Sequence, residues 1–155
     1  MTPEGIEAAA AFGATLPALL VAHNVADHWV QTSHQAAVKG RPGWLGSWNC
    51  AKHVVSYTAV TAGSVTLVWM AFGLAISVPG FVLGQVLSAV THYWADRRFT
   101  LERLAVLTGN DGFYRLGVPR PDKDDNPSLG TGAYVLDQSW HWLWLGIAAL
   151  VTALI

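Results

Sequence analysis

The longest uncharged stretch most constrains how this chain can fold. Between His53 and Asp96, 42 residues contain no Asp, Glu, Lys or Arg. A second such stretch runs from Ala8 to Ala26, and no charged residue follows Asp137. About 20 mostly apolar residues are enough to cross a bilayer as a helix. The sequence therefore predicts four membrane-spanning helices. They are expected at about residues 5–34, 49–76, 80–107 and 133–155.

The predicted fold is one all-α domain, residues 1–155, built as an integral membrane four-helix bundle. Charged residues make up only 12% of the chain, about half of the ~25% found in soluble domains. Every Lys and Arg lies at one end of this bundle, in or beside the loops at 35–48 and 108–132. Cytoplasmic loops are enriched in Lys and Arg. We therefore expect a multi-pass protein of the bacterial cytoplasmic (inner) membrane, with both long loops in the cytoplasm and both termini outside. The short turn between the second and third helices is expected at 77–80.

Composition also limits the partners of the chain. The formal net charge is −1 and no basic stripe is present, so no nucleic acid is expected as a partner. The single cysteine, Cys50, excludes an internal disulfide and a cysteine-rich zinc cluster. The expected partner is the lipid bilayer, and the sequence leaves open whether the chain forms a homo-oligomer.

Three histidine–aspartate pairs are spaced four residues apart, at His23 and Asp27, His92 and Asp96, and Asp137 and His141. On a helix this spacing places both side chains on one face. In the predicted topology each pair lies at the cytoplasmic end of its helix, and the reversed order of the last pair suits the opposite chain direction. His53 opens the second helix at the same depth. The pattern predicts that these groups meet at one polar site inside the bundle.

A divalent cation is the expected occupant of this site. Ionisable groups at membrane depth cost about 2.5–3.5 kcal/mol each on insertion scales, and they usually face the bundle interior with partners. Imidazoles and carboxylates are suitable ligands for zinc, which is favoured here, and for manganese or iron. Helix bundles build metal sites from such inward-facing pairs. The predicted ligands are His23, Asp27, His53, His92, Asp96, Asp137 and His141. The side chains expected to orient the imidazoles through hydrogen bonds are Asn24, Gln31 and Gln138.

The same residues resemble a family of bacterial and phage membrane proteins called domain of unknown function 3307. Its pattern is an early His-x-x-x-Asp followed by Gln, a His opening the second helix, His-x-x-x-Asp on the third and Asp-Gln-x-x-His on the fourth. This chain departs from the family at Arg97-Arg98, where a Lys is more usual, and in its long acidic third loop. A looser similarity to small membrane-bound metal-dependent hydrolases implies a hydrolase. The matching residues are His23, Asp27, Gln31, His53, His92, Asp96, Asp137, Gln138 and His141.

The leading functional hypothesis is a membrane-embedded metal-dependent hydrolase that acts on a lipid or lipid-linked substrate at the cytoplasmic interface. A bound metal would lower the pKa of a coordinated water toward ~7. The loop at 108–132 is expected to close over the site. The candidate catalytic residues are Asp27, His28 and Asp96. The candidates for holding an anionic headgroup are Lys52, Arg97 and Arg98.

Other functions use the same residues. The cluster would also suit a non-enzymatic membrane protein that passes protons or metal ions, or a purely structural polar network. A haem carrier with His23 and His92 as axial ligands is a further alternative, although three nearby aspartates fit a large apolar macrocycle poorly.

Overall fold

The computed structural model describes residues 2–118 and 131–155 of the chain, and within these residues the secondary structure is helical, with no strand. The all-α prediction is thus confirmed for the described part. The predicted loop at 108–132 lies partly outside it, because residues 119–130 are not described. The helices are α1 (Pro3–Val25, continued by a π-helical turn at Ala26–Val30), α2 (Ser33–Val38), α3 (Gly43–Phe72), α4 (Val78–Asp96), α5 (Phe99–Leu107), α6 (Asp111–Tyr114) and α7 (Gly132–Leu154).

The four long helices pack side by side in a ring. Helix α1 contacts α3 and α7, and α4 contacts the same two helices, so α1 and α4 lie diagonally opposite each other. A small apolar core fills part of the ring. Its buried members are Leu19, Val65, Leu145, Ala148 and Ala149.

Two of the described helices are long and apolar enough to cross a membrane. They are Pro3–Val30, 28 residues with a mean hydropathy of 1.6, and Gly43–Phe72, 30 residues with a mean hydropathy of 1.4. Only 22% and 17% of the residues in their most apolar windows are buried. Most of this apolar surface therefore faces away from the ring.

Helices α4 and α7 approach each other closely at two glycines spaced four residues apart. A Cβ atom added at Gly84 would overlap the hydroxyl oxygen of Thr152 and lie 2.9 Å from the carbonyl oxygen of Ala148. A Cβ atom added at Gly80 would lie 3.0 Å from the Thr152 carbonyl oxygen. Small residues at this spacing let two helix backbones come together. The contact sets the distance between α4 and α7.

The connection between α3 and α4 lies earlier than the sequence predicted. Helix α3 ends at Phe72 because Gly73 adopts a left-handed conformation, with φ 57°, which is a common way to end a helix. The Ser77 hydroxyl accepts a hydrogen bond from the Gly80 N–H at 2.9 Å. Pro79 lies in the first turn of α4, where proline is well tolerated. The segment 77–80, predicted as the turn, is therefore the start of a helix.

The predicted third helix, 80–107, is divided in the structure. Helix α4 ends at Asp96, and α5 begins at Phe99. Arg98 has a φ of 57°, the only positive φ at a non-glycine residue in the described part of the chain. The Thr100 hydroxyl donates to the carbonyl oxygen of Trp94 across the break. The break lets the chain leave the ring immediately after Asp96.

The segment 35–48, predicted as a loop, is mostly helical. Thr32 and Gln35 form a capping box that starts α2, with each side chain bonded to the backbone N–H of the other. Helix α3 begins at Gly43, six residues before its predicted start at 49. The short connection between α2 and α3 brings Lys39 against the end of α4, where its side chain is 9% exposed.

We expect Gly84→Ala to lower the free energy of unfolding by about 1–3 kcal/mol, the usual cost of overpacking. The matched control is Gly63→Ala on α3, where an added Cβ meets nothing within 4 Å. The control should keep or increase stability, because Ala favours a helix over Gly by up to about 1 kcal/mol. Denaturant unfolding of both variants measures the difference. Equal stability of the two variants would contradict the close α4–α7 contact.

Candidate metal centre

Four ligand atoms from three elements converge at one end of the ring. Asp27 lies on the π-helical turn after α1, His53 on α3, and His92 and Asp96 on α4. The imidazole side chains are at most 1% exposed, and the carboxylates of Asp27 and Asp96 are 9% and 4% exposed. The atoms that face one another are Asp27 Oδ1, His53 Nε2, His92 Nε2 and Asp96 Oδ2.

Five of the separations between these atoms lie between 3.0 and 3.4 Å. His53 Nε2 lies 3.0 Å from His92 Nε2, 3.2 Å from Asp27 Oδ1 and 3.3 Å from Asp96 Oδ2. His92 Nε2 lies 3.4 Å from Asp27 Oδ1 and 3.2 Å from Asp96 Oδ2. Tetrahedral ligands about 2.0–2.1 Å from a zinc ion lie about 3.3–3.4 Å from one another. These five separations are close to those between ligands of one small ion, and Asp27, His53 and His92 form a group whose ligand atoms all lie within 4.8 Å of one another.

The facing carboxylate oxygens of this group lack well-aligned hydrogen bonds. Asp27 Oδ1 and Asp96 Oδ2 are buried and accept no hydrogen bond, although imidazole nitrogens lie near both. The hydrogen bond that these four atoms do form joins the two imidazoles. A buried acceptor without a partner costs about 1–3 kcal/mol, and more when it is charged. A shared cation would satisfy both carboxylate oxygens, so this group is one that could hold a metal ion.

The π-helical turn at the end of α1 positions Asp27. Its wider winding is closed by a hydrogen bond from the Gln31 N–H to the Ala26 carbonyl oxygen, at 2.9 Å. Single π-helical turns are often found at functional sites. His23, one turn earlier, is fully buried, and its Nδ1 lies 3.7 Å from Asp27 Oδ2. The turn thus points the carboxylate toward α3 and α4, with His23 behind it.

Lys39 is a site residue that the sequence analysis missed. Its ammonium nitrogen lies 2.8 Å from Asp96 Oδ1, and both side chains are buried. This ion pair occupies one oxygen of the carboxylate and leaves Oδ2 facing the two histidines. Helical spacing could not identify Lys39, because it lies outside the long helices and looks like an ordinary loop charge.

The remaining predicted ligands lie beside the four-atom group. His141 Nε2 is 3.6 Å from Asp137 Oδ1, and His23 Nε2 is 3.3 Å from Gln138 Oε1. One ligand atom each from Asp96, Asp137 and His141 lie within 4.8 Å of one another. His23, His92 and His141 form another such set. The structure brings all seven predicted ligands together, in overlapping groups rather than in a single shell.

A cavity of about 540 Å³ opens beside the carboxylates. Its wall includes Asp27, Asp96 and Asp137 but none of the four buried histidines, which lie deeper. Burial raises the pKa of the Tyr114 hydroxyl above its usual value, so this phenol stays protonated and able to donate a hydrogen bond. The polar residues that complete the wall are His28, Gln31, Lys39, Arg98, Tyr114, Thr131, Tyr134 and Gln138.

The three side chains predicted to orient the imidazoles through hydrogen bonds make different contacts. Gln138 contacts His23 as expected, and its amide also donates to Asp137 Oδ2 at 3.3 Å. Gln31 lines the cavity. The Asn24 amide instead donates to the Leu20 carbonyl oxygen, at 2.9 Å, and is exposed. Asn24 therefore orients none of the imidazoles.

His28 lies on the cavity wall outside the four-atom group. Its Nδ1 is 2.9 Å from the carbonyl oxygen of Asn24. Because a carbonyl oxygen only accepts hydrogen bonds, Nδ1 carries the proton. Nε2 of the neutral ring is then free to accept one.

Of the three cations predicted to hold a headgroup, only Arg98 lines the cavity. Its guanidinium also donates to the Ala36 carbonyl oxygen, at 3.1 Å. Arg97 is buried elsewhere, where it donates to the Arg41 carbonyl oxygen at 2.7 Å. Lys52 is exposed on α3 and is absent from the described cavity wall.

No family model, curated protein or solved structure matches this chain. The resemblance to domain of unknown function 3307 therefore stays a prediction, as does the looser similarity to membrane-bound hydrolases. The geometry of the metal centre has to carry the assignment of function.

We expect Lys39→Met to destabilise the metal-free protein by about 3–5 kcal/mol, because removing one partner of a buried ion pair leaves the other charge uncompensated. Lys52→Met, at an exposed position of the neighbouring helix, is the control and should change stability by no more than about 0.5 kcal/mol. Unfolding is measured with and without added zinc, which should restore most of the loss in Lys39→Met. A metal-free Lys39→Met protein as stable as the control would show that the ion pair has no such role.

Proposed function

We propose that this chain is a membrane-embedded metal-dependent hydrolase whose site opens at the cytoplasmic interface. The observation that carries the proposal is the close approach of two imidazole nitrogens and two carboxylate oxygens, at 3.0–3.4 Å along five separations, with neither oxygen hydrogen-bonded. Asp27, His53, His92 and Asp96 would hold the ion. Zinc suits this donor set best, with manganese or iron as alternatives.

Insertion into a membrane is supported by an inverted distribution of polarity. Many of the buried side chains of the long helices are polar, while many exposed ones are large and apolar. A continuous apolar outer surface of this kind needs a partner, and lipid is the partner that suits all sides of a ring. Buried examples are Thr15, Asn49, Thr61, Gln85 and Ser88. Exposed examples are Val21, Val55, Leu67, Val86 and Val90.

The proposal includes four spans, although among the described helices only α1 with its π-helical turn and α3 are long and apolar enough by themselves. Helices α4 and α7 complete the ring and present apolar residues such as Val82 and Leu150 outward. The Lys and Arg residues of the described part lie at or near the end that carries the site. The positive-inside tendency then places that end in the cytoplasm and both termini outside.

The residues around the cavity supply the other parts of a hydrolytic site. A divalent ion held by these residues would take a water as a fifth ligand, lower the pKa of that water and polarise a carbonyl or phosphoryl group. Nε2 of His28 is a candidate general base, because Nδ1 carries the ring proton. Arg98 and Tyr114 are placed on the wall to bind an anionic group. Since the cavity would open at headgroup level, a lipid or lipid-linked molecule is the proposed substrate.

Proton or ion passage is the second candidate function, and one observation favours it. A row of buried polar contacts extends from the histidines toward the far end of the ring. The Tyr57 ring stacks on His92, with centroids 3.8 Å apart. The Tyr57 hydroxyl lies 2.8 Å from that of Ser88, and Thr61 donates to Gln85 Oε1 at 2.9 Å. The same contacts would serve equally to align α3 with α4.

Metal content tests the proposal directly. Detergent-purified wild type is expected to retain at least one equivalent of zinc, manganese or iron per chain after dialysis. His53→Ala should reduce retention at least tenfold, because the ring supplies one of four ligands. His34→Ala is the control, since His34 is exposed and outside the metal centre. Elemental analysis measures the metal content of the three proteins. Equal metal content in His53→Ala and the control would mean that the site is misassigned.

An assay of lipid hydrolysis distinguishes the enzyme hypothesis from the transport hypothesis. Wild type in vesicles of bacterial phospholipids should release a lipid fragment, detected by mass spectrometry, only with the metal bound. His28→Ala should slow release at least tenfold while leaving metal content unchanged, because His28 is no ligand. Metal-dependent proton or cation flux in sealed vesicles, without any released fragment, would favour transport instead.

A further inference from the structure

We infer a second divalent-cation site in this protein, formed by Asp96, Asp137 and His141, which would make the centre dinuclear and its substrate a phosphate ester. This inference rests on the proposed function, because the first ion at Asp27, His53, His92 and Asp96 is its neighbour. The two sites would share the Asp96 carboxylate.

The strongest observation is the state of His141. Its ring is buried, 2% exposed, and Nε2 forms no hydrogen bond. Asp137 Oδ1 lies 3.6 Å from this nitrogen. That distance is too long for a hydrogen bond, but it is close to the ~3.3–3.4 Å between two ligands on one small ion. A buried nitrogen and a carboxylate oxygen thus face each other across a gap that a cation would fill.

Neighbouring contacts hold Asp137 in this orientation. The Gln138 amide donates to Asp137 Oδ2 at 3.3 Å, which leaves Oδ1 directed toward His141. The carbonyl oxygen of the same Gln138 side chain lies 3.3 Å from Nε2 of His23. Because an oxygen of this kind only accepts, His23 Nε2 carries a proton and is not a ligand atom, whereas His23 Nδ1 has no hydrogen-bond partner and lies 3.7 Å from Asp27 Oδ2. Gln138 is therefore a positioning residue.

Asp96 connects the two groups. Its Oδ2 faces His53 and His92, and its carboxylate also lies within 4.8 Å of the ligand atoms of Asp137 and His141. Paired metal ions in hydrolytic sites lie about 3.5–4 Å apart, a distance that a bridging carboxylate spans. Lys39 already pairs with Asp96 Oδ1 at 2.8 Å. It would compete with the second ion, so the second site should be the weaker one.

The electrostatics of such a centre select a phosphate ester. Two divalent ions and Lys39 outweigh the charge of three aspartates by two units, and Arg98 adds a further positive charge on the cavity wall. Paired ions stabilise the attacking and the leaving oxygen of a phosphoryl displacement. The water oxygen forms the new P–O bond while the ester P–O bond breaks. One water proton passes to His28 Nε2 and then to the leaving alkoxide, which departs as the alcohol.

Stoichiometry of Mn²⁺ binding tests the second site. The full chain in detergent is stripped with a chelator and titrated with Mn²⁺, and bound metal is counted by elemental analysis and by electron paramagnetic resonance. We expect two equivalents in wild type, the second binding at least tenfold more weakly. Asp137→Asn, an isosteric change, should bind one equivalent, with the affinity of the first site unchanged within threefold. His34→Ala is the control and should bind two.

The outcomes distinguish this inference from the proposed function. One equivalent in wild type at saturating Mn²⁺, or two in Asp137→Asn, would overturn the second site. If that one equivalent is lost in His53→Ala, the first site and the proposed function stand. If no variant and no wild-type sample binds metal, both fail. Two equivalents that fall to one in Asp137→Asn and in His141→Ala, and stay at two in His34→Ala, would support the dinuclear centre.

Inorganic phosphate, the product expected from a phosphate monoester, tests the substrate class. Wild type loaded with Mn²⁺ should bind phosphate at least tenfold more tightly than Asp137→Asn loaded under the same conditions, measured by isothermal titration calorimetry. The reason is that the second ion supplies the net positive charge. Equal phosphate affinity in the two proteins would overturn the assignment of a phosphate ester.

Discussion

The burial of two carboxylates against two imidazole rings is the constraint on which the rest of the structure depends. Asp27 and Asp96 have almost no contact with solvent, and each has an oxygen that accepts no hydrogen bond. Buried charge of this kind is tolerated only when it is paired or bound to a metal. Lys39 compensates one of the two carboxylates, so one negative charge still needs a cation. A metal ion at the centre of the four ligand atoms would supply it.

Three irregular features of the chain occur around this group. The π-helical turn directs Asp27 inward, and the break after Asp96 ends α4 where its carboxylate is needed. The connection after α2 brings Lys39 to the same carboxylate. Elsewhere α3 and α7 continue without interruption. The glycine contact between α4 and α7 holds His92 beside His141, with ring centroids 4.2 Å apart. Irregular backbone is thus concentrated where the chain must position ligands.

Much of this arrangement could be predicted because helical spacing is a local property. Residues four apart share a face, and the reversed order of Asp137 and His141 suits the reversed direction of α7. The positions of Lys39 and of the break at Arg98 could not be predicted, because they depend on contacts between distant segments such as Arg97 with the Arg41 carbonyl. The start of α2, by contrast, could have been predicted from the sequence, because the Thr32-x-x-Gln35 pattern is a local capping signal. The turn before α4 was misplaced because Ser, Pro and Gly also begin helices.

X-ray absorption spectroscopy of the zinc-loaded protein tests the central claim most directly, because it reports the ligands of the ion itself. The account predicts a first shell of four or five nitrogen or oxygen atoms at about 2.0–2.2 Å, with outer-shell scattering from imidazole rings and no sulfur. Binding of zinc by water oxygens alone, or a shell without imidazole scattering, would contradict a metal centre built from His53, His92, Asp27 and Asp96.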